Sequence, residues 1–147
     1  MAAKTSRAAA HTRIGTPRPV YADTSAFIAF LDRSDSHHEL YRRLFATPPP
    51  IVTSALVVAE LHGWFLRRYD IRRAIEALAF LTALTPLRIE AFDEHALAAA
   101  SAIVKHYQDH VLTLADAHGL AIVQAGRFQS CWSTDRHLAL GGVPLPD

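Results

Sequence analysis

Four times in this chain a short run of strand-forming residues leads straight into a helical pattern. That repetition constrains the fold more than any other feature. Val20-Tyr21-Ala22 runs into a helix over Thr24 to Leu31, and Ile51-Val52-Thr53 into one from about Ala55 to Tyr69. Leu87 to Phe92 alternates like a strand and meets a helix capped by Asp93 and reaching about Tyr107. Ser130-Cys131-Trp132-Ser133 leads into a short helix opened by Thr134-Asp135 and closed by Gly141-Gly142. Further helices are expected from Ser36 to about Ala46, where Ser36 and Glu39 match a capping box, from Asp70 to about Leu84, and from Thr113 to Ala125. Strands joined through helices predict an α/β fold with a parallel sheet and right-handed crossovers.

The apolar spacing assigns a core face to each helix. The expected inward residues are Leu40, Leu44 and Phe45, then Leu56, Val57, Leu61, Trp64 and Phe65, then Ile71, Ile75, Leu78 and Leu81, then Leu97, Ile103 and Val104. Val143-Pro144-Leu145 reads as an edge strand. Residues 1–18 are small, polar and basic and are expected to be a flexible arm, leaving 19–147 as one domain. At 147 residues, half of them hydrophobic, the chain is long enough for one core.

Acids recur where strands give way to helices. Asp23 follows the first strand, Asp135 the last, and Asp116 sits in the first turn of the Thr113 helix. Each suits helix capping, and taken singly that is the simpler account. Glu60 is different. It lies too deep in its helix to cap it, with Leu56 and Trp64 one turn away on either side and no basic residue one turn off. A carboxylate beside a buried stripe needs a partner, and a cation serves. Parallel topology brings strand ends to one edge, so the four acids are expected to meet there. Clustered all-oxygen ligands suit Mg²⁺ or Mn²⁺ rather than zinc, and the reaction class this implies is phosphodiester hydrolysis.

Other features say less. The formal net charge is +1, which implies no nucleic-acid partner by itself, although all but two of the fifteen basic residues are arginine, the better phosphate binder. The pairs Arg42-Arg43, Arg67-Arg68 and Arg72-Arg73 read as solvated helix faces. Nine histidines raise the question of zinc, but no His-Glu-x-x-His pattern is present, and they read as surface residues. Trp64 and Trp132 read as core. Cys131, the lone cysteine, reads as a buried strand residue and excludes an intrachain disulfide. With no apolar segment of signal or membrane-spanning type, the expectation is a cytoplasmic protein with no membrane partner. Two rival classes remain. A receiver-like phosphoacceptor domain also clusters acids at strand ends, but wants a lysine near a late strand, and the lysines here are Lys4 and Lys105. A non-enzymatic RNA- or protein-binding module would use its acids only as caps, which leaves Glu60 unexplained.

Four segments carry a resemblance: Asp23-Thr24-Ser25, Ser54-Ala55-Leu56-Val57-Val58-Ala59-Glu60-Leu61, Leu114-Ala115-Asp116-Ala117 and Ser133-Thr134-Asp135-Arg136. In order and spacing they resemble the four acidic motifs of PIN-domain nucleases, and the chain is similar in size to VapC-type toxins. The basic stretch before the first strand departs from that pattern. The resemblance implies a three-layer α/β/α, Rossmann-like fold around four to five short strands. It also implies Mg²⁺- or Mn²⁺-dependent endoribonuclease activity on structured RNA such as tRNA or rRNA, a homodimer, and a cognate VapB-type antitoxin. Carried onto this chain, it makes Asp23, Glu60, Asp116 and Asp135 the metal-site acids, with Ser25 and Ser133 as hydroxyls that help hold the site.

Overall fold

The computed structural model describes residues 15–147; the arm expected over 1–18 lies mostly outside them, and 15–18 are exposed and belong to no helix or strand. The order of elements is β1 (Val20–Ala22), α1 (Thr24–Leu31), α2 (His38–Ala46), β2 (Ile51–Ser54), α3 (Ala55–Arg68) and α4 (Ile71–Ala83). There follow β3 (Leu87–Glu90), α5 (Glu94–His106), α6 (Leu114–Ala125), β4 (Ser130–Trp132) and a 3-10 helix, Arg136–Gly141. The four strands form one parallel sheet in the order β3-β2-β1-β4. The expected strand at Val143–Leu145 does not form. Pro144 offers its carbonyl to the Cys131 N–H at 2.9 Å, but proline has no N–H to return.

Alternation along the strands divides the core in two. Val20, Ala22, Ile51 and Trp132 face the larger half, with Phe27, Tyr41, Phe45, Val57, Leu61 and Phe65 from α1, α2 and α3 and the alanines of α4. Tyr21 and Cys131 face the other half, against Val123 of α6 and Leu138 of the 3-10 helix. The sheet is therefore sandwiched between helical layers. Trp132 and Cys131 are buried as expected, and Trp64 packs partly buried against the larger core.

Several helices are turned relative to their expected faces. On α4 the buried residues are Ala74, Ala77 and Leu81, while Ile71 and Ile75 are each 57% exposed. Small alanines let α4 approach α3 closely, and that outweighs burying the larger isoleucines. On α5 only Ala100 is buried; Leu97 and Val104 are exposed, because this helix packs on α6 and not on the sheet. The Ser36–Glu39 capping box does not form. Asp35, a stronger acceptor, takes the His37 N–H at 2.8 Å, and α2 starts at His38 with no side-chain cap. No helix among the described residues is long and apolar enough to cross a membrane.

Candidate functional site

The carboxyl ends of β1 and β4 are tied together by the Asp23 N–H donating to the Trp132 carbonyl at 2.9 Å. Asp23 stands there with its side chain buried. Its Oδ2 accepts from Ser25 Oγ at 3.0 Å, from Ser133 Oγ at 3.2 Å and from the Ser25 N–H at 3.4 Å. It thus caps α1 while two hydroxyls fix its rotamer. Ser133 Oγ also accepts the Asp135 N–H at 2.9 Å, so Asp135 is held one hydroxyl away from Asp23. Asp135 in turn caps the 3-10 helix through the His137 N–H at 2.9 Å.

Glu60 is half-buried and takes no part in any ion pair among the described residues; its Oε2 accepts from Thr24 Oγ1 at 2.7 Å. Thr24 follows Asp23, so Glu60 is drawn toward the same strand end. Asp116 closes a capping box with Thr113, its Oδ2 accepting the Thr113 N–H at 2.8 Å. Three of the four acids are thus caps, as the simpler account held. A cap commits one carboxylate oxygen to the backbone and leaves the other for a second task.

The electrostatics tie three of these acids together. Burial lifts the Asp23 carboxyl well above the usual carboxylate range, to about 6; hydrogen bonds from Thr24 and Ser25 oppose the rise, and the Asp116 charge adds to it. The Tyr21 phenol beneath is pushed well up by burial first, then by Asp23, with Cys131, Asp116 and Glu60 adding. Asp135 is joined to the group through Ser133 rather than by charge. Among the described residues none of the arginine ion pairs involves these acids.

The donors are all oxygen, as a hard divalent cation requires, and Asp23 is a desolvated carboxyl that a cation would stabilise in its charged form. Among the described residues no three His, Cys, Asp or Glu side chains stand close enough to cage an ion by themselves. An ion bound here would have to keep several waters and take one or two carboxylates directly, as Mg²⁺ can.

Two residues that the sequence reading passed over complete the frame. Thr24 holds Glu60. Its signal was a hydroxyl at the first helical position, next to the acid. His118 is buried, against the expectation of surface histidines, and its Nδ1 lies 2.6 Å from Ser54 Oγ. Ser54 caps α3 through the Leu56 N–H at 3.0 Å, so this contact fastens the helix carrying Asp116 to the helix carrying Glu60. Burial lowers the His118 pKa, with Glu90 and Asp93 pulling the other way. Periodicity alone gave no sign of it.

Comparison with known proteins bears on most of the described region. The PIN domain family model matches residues 20–140. No curated protein matches the chain. Among solved structures, VapC20 of Mycobacterium tuberculosis, described as a sarcin–ricin loop cleaving toxin, shares 25% identity with a TM-score of 0.77, covering 84% of this chain and 95% of that one. A toxin–antitoxin complex from Klebsiella pneumoniae is 20% identical with a TM-score of 0.58, covering 87% and 96%. FitAcB from Neisseria gonorrhoeae is 17% identical with a TM-score of 0.62, again covering 87% and 96%. The last two, below 25% identity, speak for the fold alone.

Proposed function

The chain belongs to the PIN-domain family, and from that premise we propose that it is a divalent-metal-dependent endoribonuclease, the toxin of a VapBC-type toxin–antitoxin pair. The observation that carries this reading is the convergence on Asp23: a desolvated carboxyl, steered by two serine hydroxyls, with Asp116 close enough to raise its pKa and Glu60 drawn in through Thr24. VapC20 is described as a sarcin–ricin loop cleaving toxin, which supports a structured nucleic-acid loop, and so RNA, as the substrate. That this neighbour is a VapC toxin supports a VapB-type antitoxin as partner.

Asp23, Glu60, Asp116 and Asp135 would hold Mg²⁺ or Mn²⁺, one or two of them directly and the others through its waters. Such an ion, when bound, activates water and neutralises charge on the phosphoryl oxygens during in-line displacement. The chain's own residues prepare that site. Ser25 and Ser133 keep Asp23 Oδ2 in one orientation. Thr24 keeps Glu60 from swinging to solvent. The Thr113 N–H holds the Asp116 carboxylate in one orientation. A homodimer is part of the same proposal.

The test is cleavage of an end-labelled structured RNA with Mn²⁺, with and without EDTA. Cutting should require the metal, and Asp23→Asn or Asp116→Asn should reduce it by at least about a hundredfold while the circular dichroism stays native. Wild-type rates in either variant would refute the site. Production of the protein alone should arrest growth, and Asp23→Asn should relieve the arrest.

A further inference from the structure

A row of rings leads from the end of α5 to the acid at one side of the candidate site. Tyr107, the residue after α5, lies edge-on to His110 with centroids 6.0 Å apart. His110 lies edge-on to His137 at 5.8 Å, and His137 Nδ1 comes within 3.2 Å of Asp135 Oδ1. Two segments far apart in sequence build this row, the loop before α6 and the start of the 3-10 helix. The same two segments deliver Asp116 and Asp135.

The row belongs to neither half of the core. The side chains of His110 and His137 are each 36% exposed, and Val111 beside them is 89% exposed, more than any other large apolar residue described. Leu114 at the start of α6 is exposed as well. Lys105 and Arg136, both exposed, flank the row in sequence. Zinc does not explain the histidines, since no three ligating side chains among the described residues converge. Part-exposed rings, an exposed apolar side chain and exposed cations nearby in sequence, next to one acid of the proposed site, match an unpaired nucleobase with its adjoining phosphates.

We propose that Tyr107, His110, Val111 and His137 form a base-stacking subsite that holds one unpaired RNA base beside the scissile phosphate and so selects the nucleotide offered to the four acids. This rests on the nuclease reading of that site. It goes further in naming a recognition element that works through the base and not through the phosphate backbone. Stacking of one base changes affinity by roughly 5- to 150-fold, so the loss is measurable.

The experiment separates binding from cutting. Affinity is read by fluorescence anisotropy in EDTA, using a single-stranded RNA of mixed sequence with one abasic position walked along it. Wild type should lose about tenfold at one position. In Tyr107→Ala/His110→Ala that penalty should vanish, with thermal unfolding unchanged, and His110→Phe should keep it. An abasic penalty equal in wild type and double variant, or none at any position, overturns the subsite. Cleavage of the intact RNA with Mn²⁺ is scored separately, so a failure of the nuclease reading shows as bound but uncut RNA.

Discussion

Asp23 has two roles that favour different charge states. As a cap it sits where the positive end of α1 favours a carboxylate; as a buried side chain it favours the neutral acid. Burial wins, and the pKa stands at about 6. The folded form therefore binds more protons than the unfolded chain between its usual carboxylate value and about 6. Stability of the metal-free protein should fall as pH rises through that window and level off above it. Asn caps a helix about as well as Asp and carries no charge. Asp23→Asn should then be the more stable protein at pH 8 in EDTA, by up to about 3 kcal/mol, with the gap closing toward pH 4. Urea unfolding at the two pH values measures this; a constant gap would reject burial as the cause. Thr24 tests the neighbouring link. Thr24→Val keeps the shape but removes the 2.7 Å hydrogen bond to Glu60. Cleavage should drop about tenfold with KM unmoved, the effect of about one hydrogen bond lost at the site; an unchanged kcat would make that bond idle.

The position of α6 depends on a missing side chain. A Cβ at Gly119 would meet Tyr21 Oη at 2.6 Å and its ring carbons at 2.9 Å, and Tyr21 is fully buried with no room to yield. Glycine costs a helix up to about 1 kcal/mol against alanine, so Gly119→Ala would help an isolated helix. Here it should cost about 1–3 kcal/mol by overpacking and should push Asp116 off station. Tyr21→Phe removes the nearest atom, together with a buried hydroxyl that has no partner among the described residues, and should recover part of both losses. Denaturant midpoints and cleavage rates across the four proteins give the coupling; additive losses would mean that the clash is absorbed elsewhere. This is also where the sequence stops being informative. Where the elements lie was legible, because strand-to-helix junctions and caps such as Asp70, Asp93 and Thr113 are local signals. How the helices are turned was not. Periodicity chose Ile71 and Ile75 for the core, but alanines met α3 instead, since close approach between helices is decided by the partner surface. Asp23, Asp116 and Asp135 were legible as caps for the same reason. Thr24 and His118 were not, because their partners, Glu60 and Ser54, are far away in sequence.

At the scale of the molecule, the candidate site is a property of the closed fold. Asp23, Glu60, Asp116 and Asp135 come from four separate segments, so the proposed site could exist only in the folded chain. Burial and the Asp116 charge disfavour the charged form of Asp23, and the arginine ion pairs among the described residues involve none of the four acids, so on this proposal part of the folding free energy is spent on the site. A bound cation should return it. If Mn²⁺ binds the folded form alone, a concentration a hundredfold above Kd adds about 2.7 kcal/mol, on the order of 10 °C in Tm for a chain of this size. Two proteins then respond in opposite order. Without metal, Asp23→Asn should melt above wild type, since its repulsive, desolvated charge is gone. With Mn²⁺, wild type should rise to meet or pass it, while the variant, having lost a ligand, should gain little. The crossing of the two melting curves, followed by calorimetry in EDTA and in Mn²⁺, is a signature that neither a helix cap nor a surface ion pair would produce. Parallel shifts in both proteins would locate the cation elsewhere on the molecule.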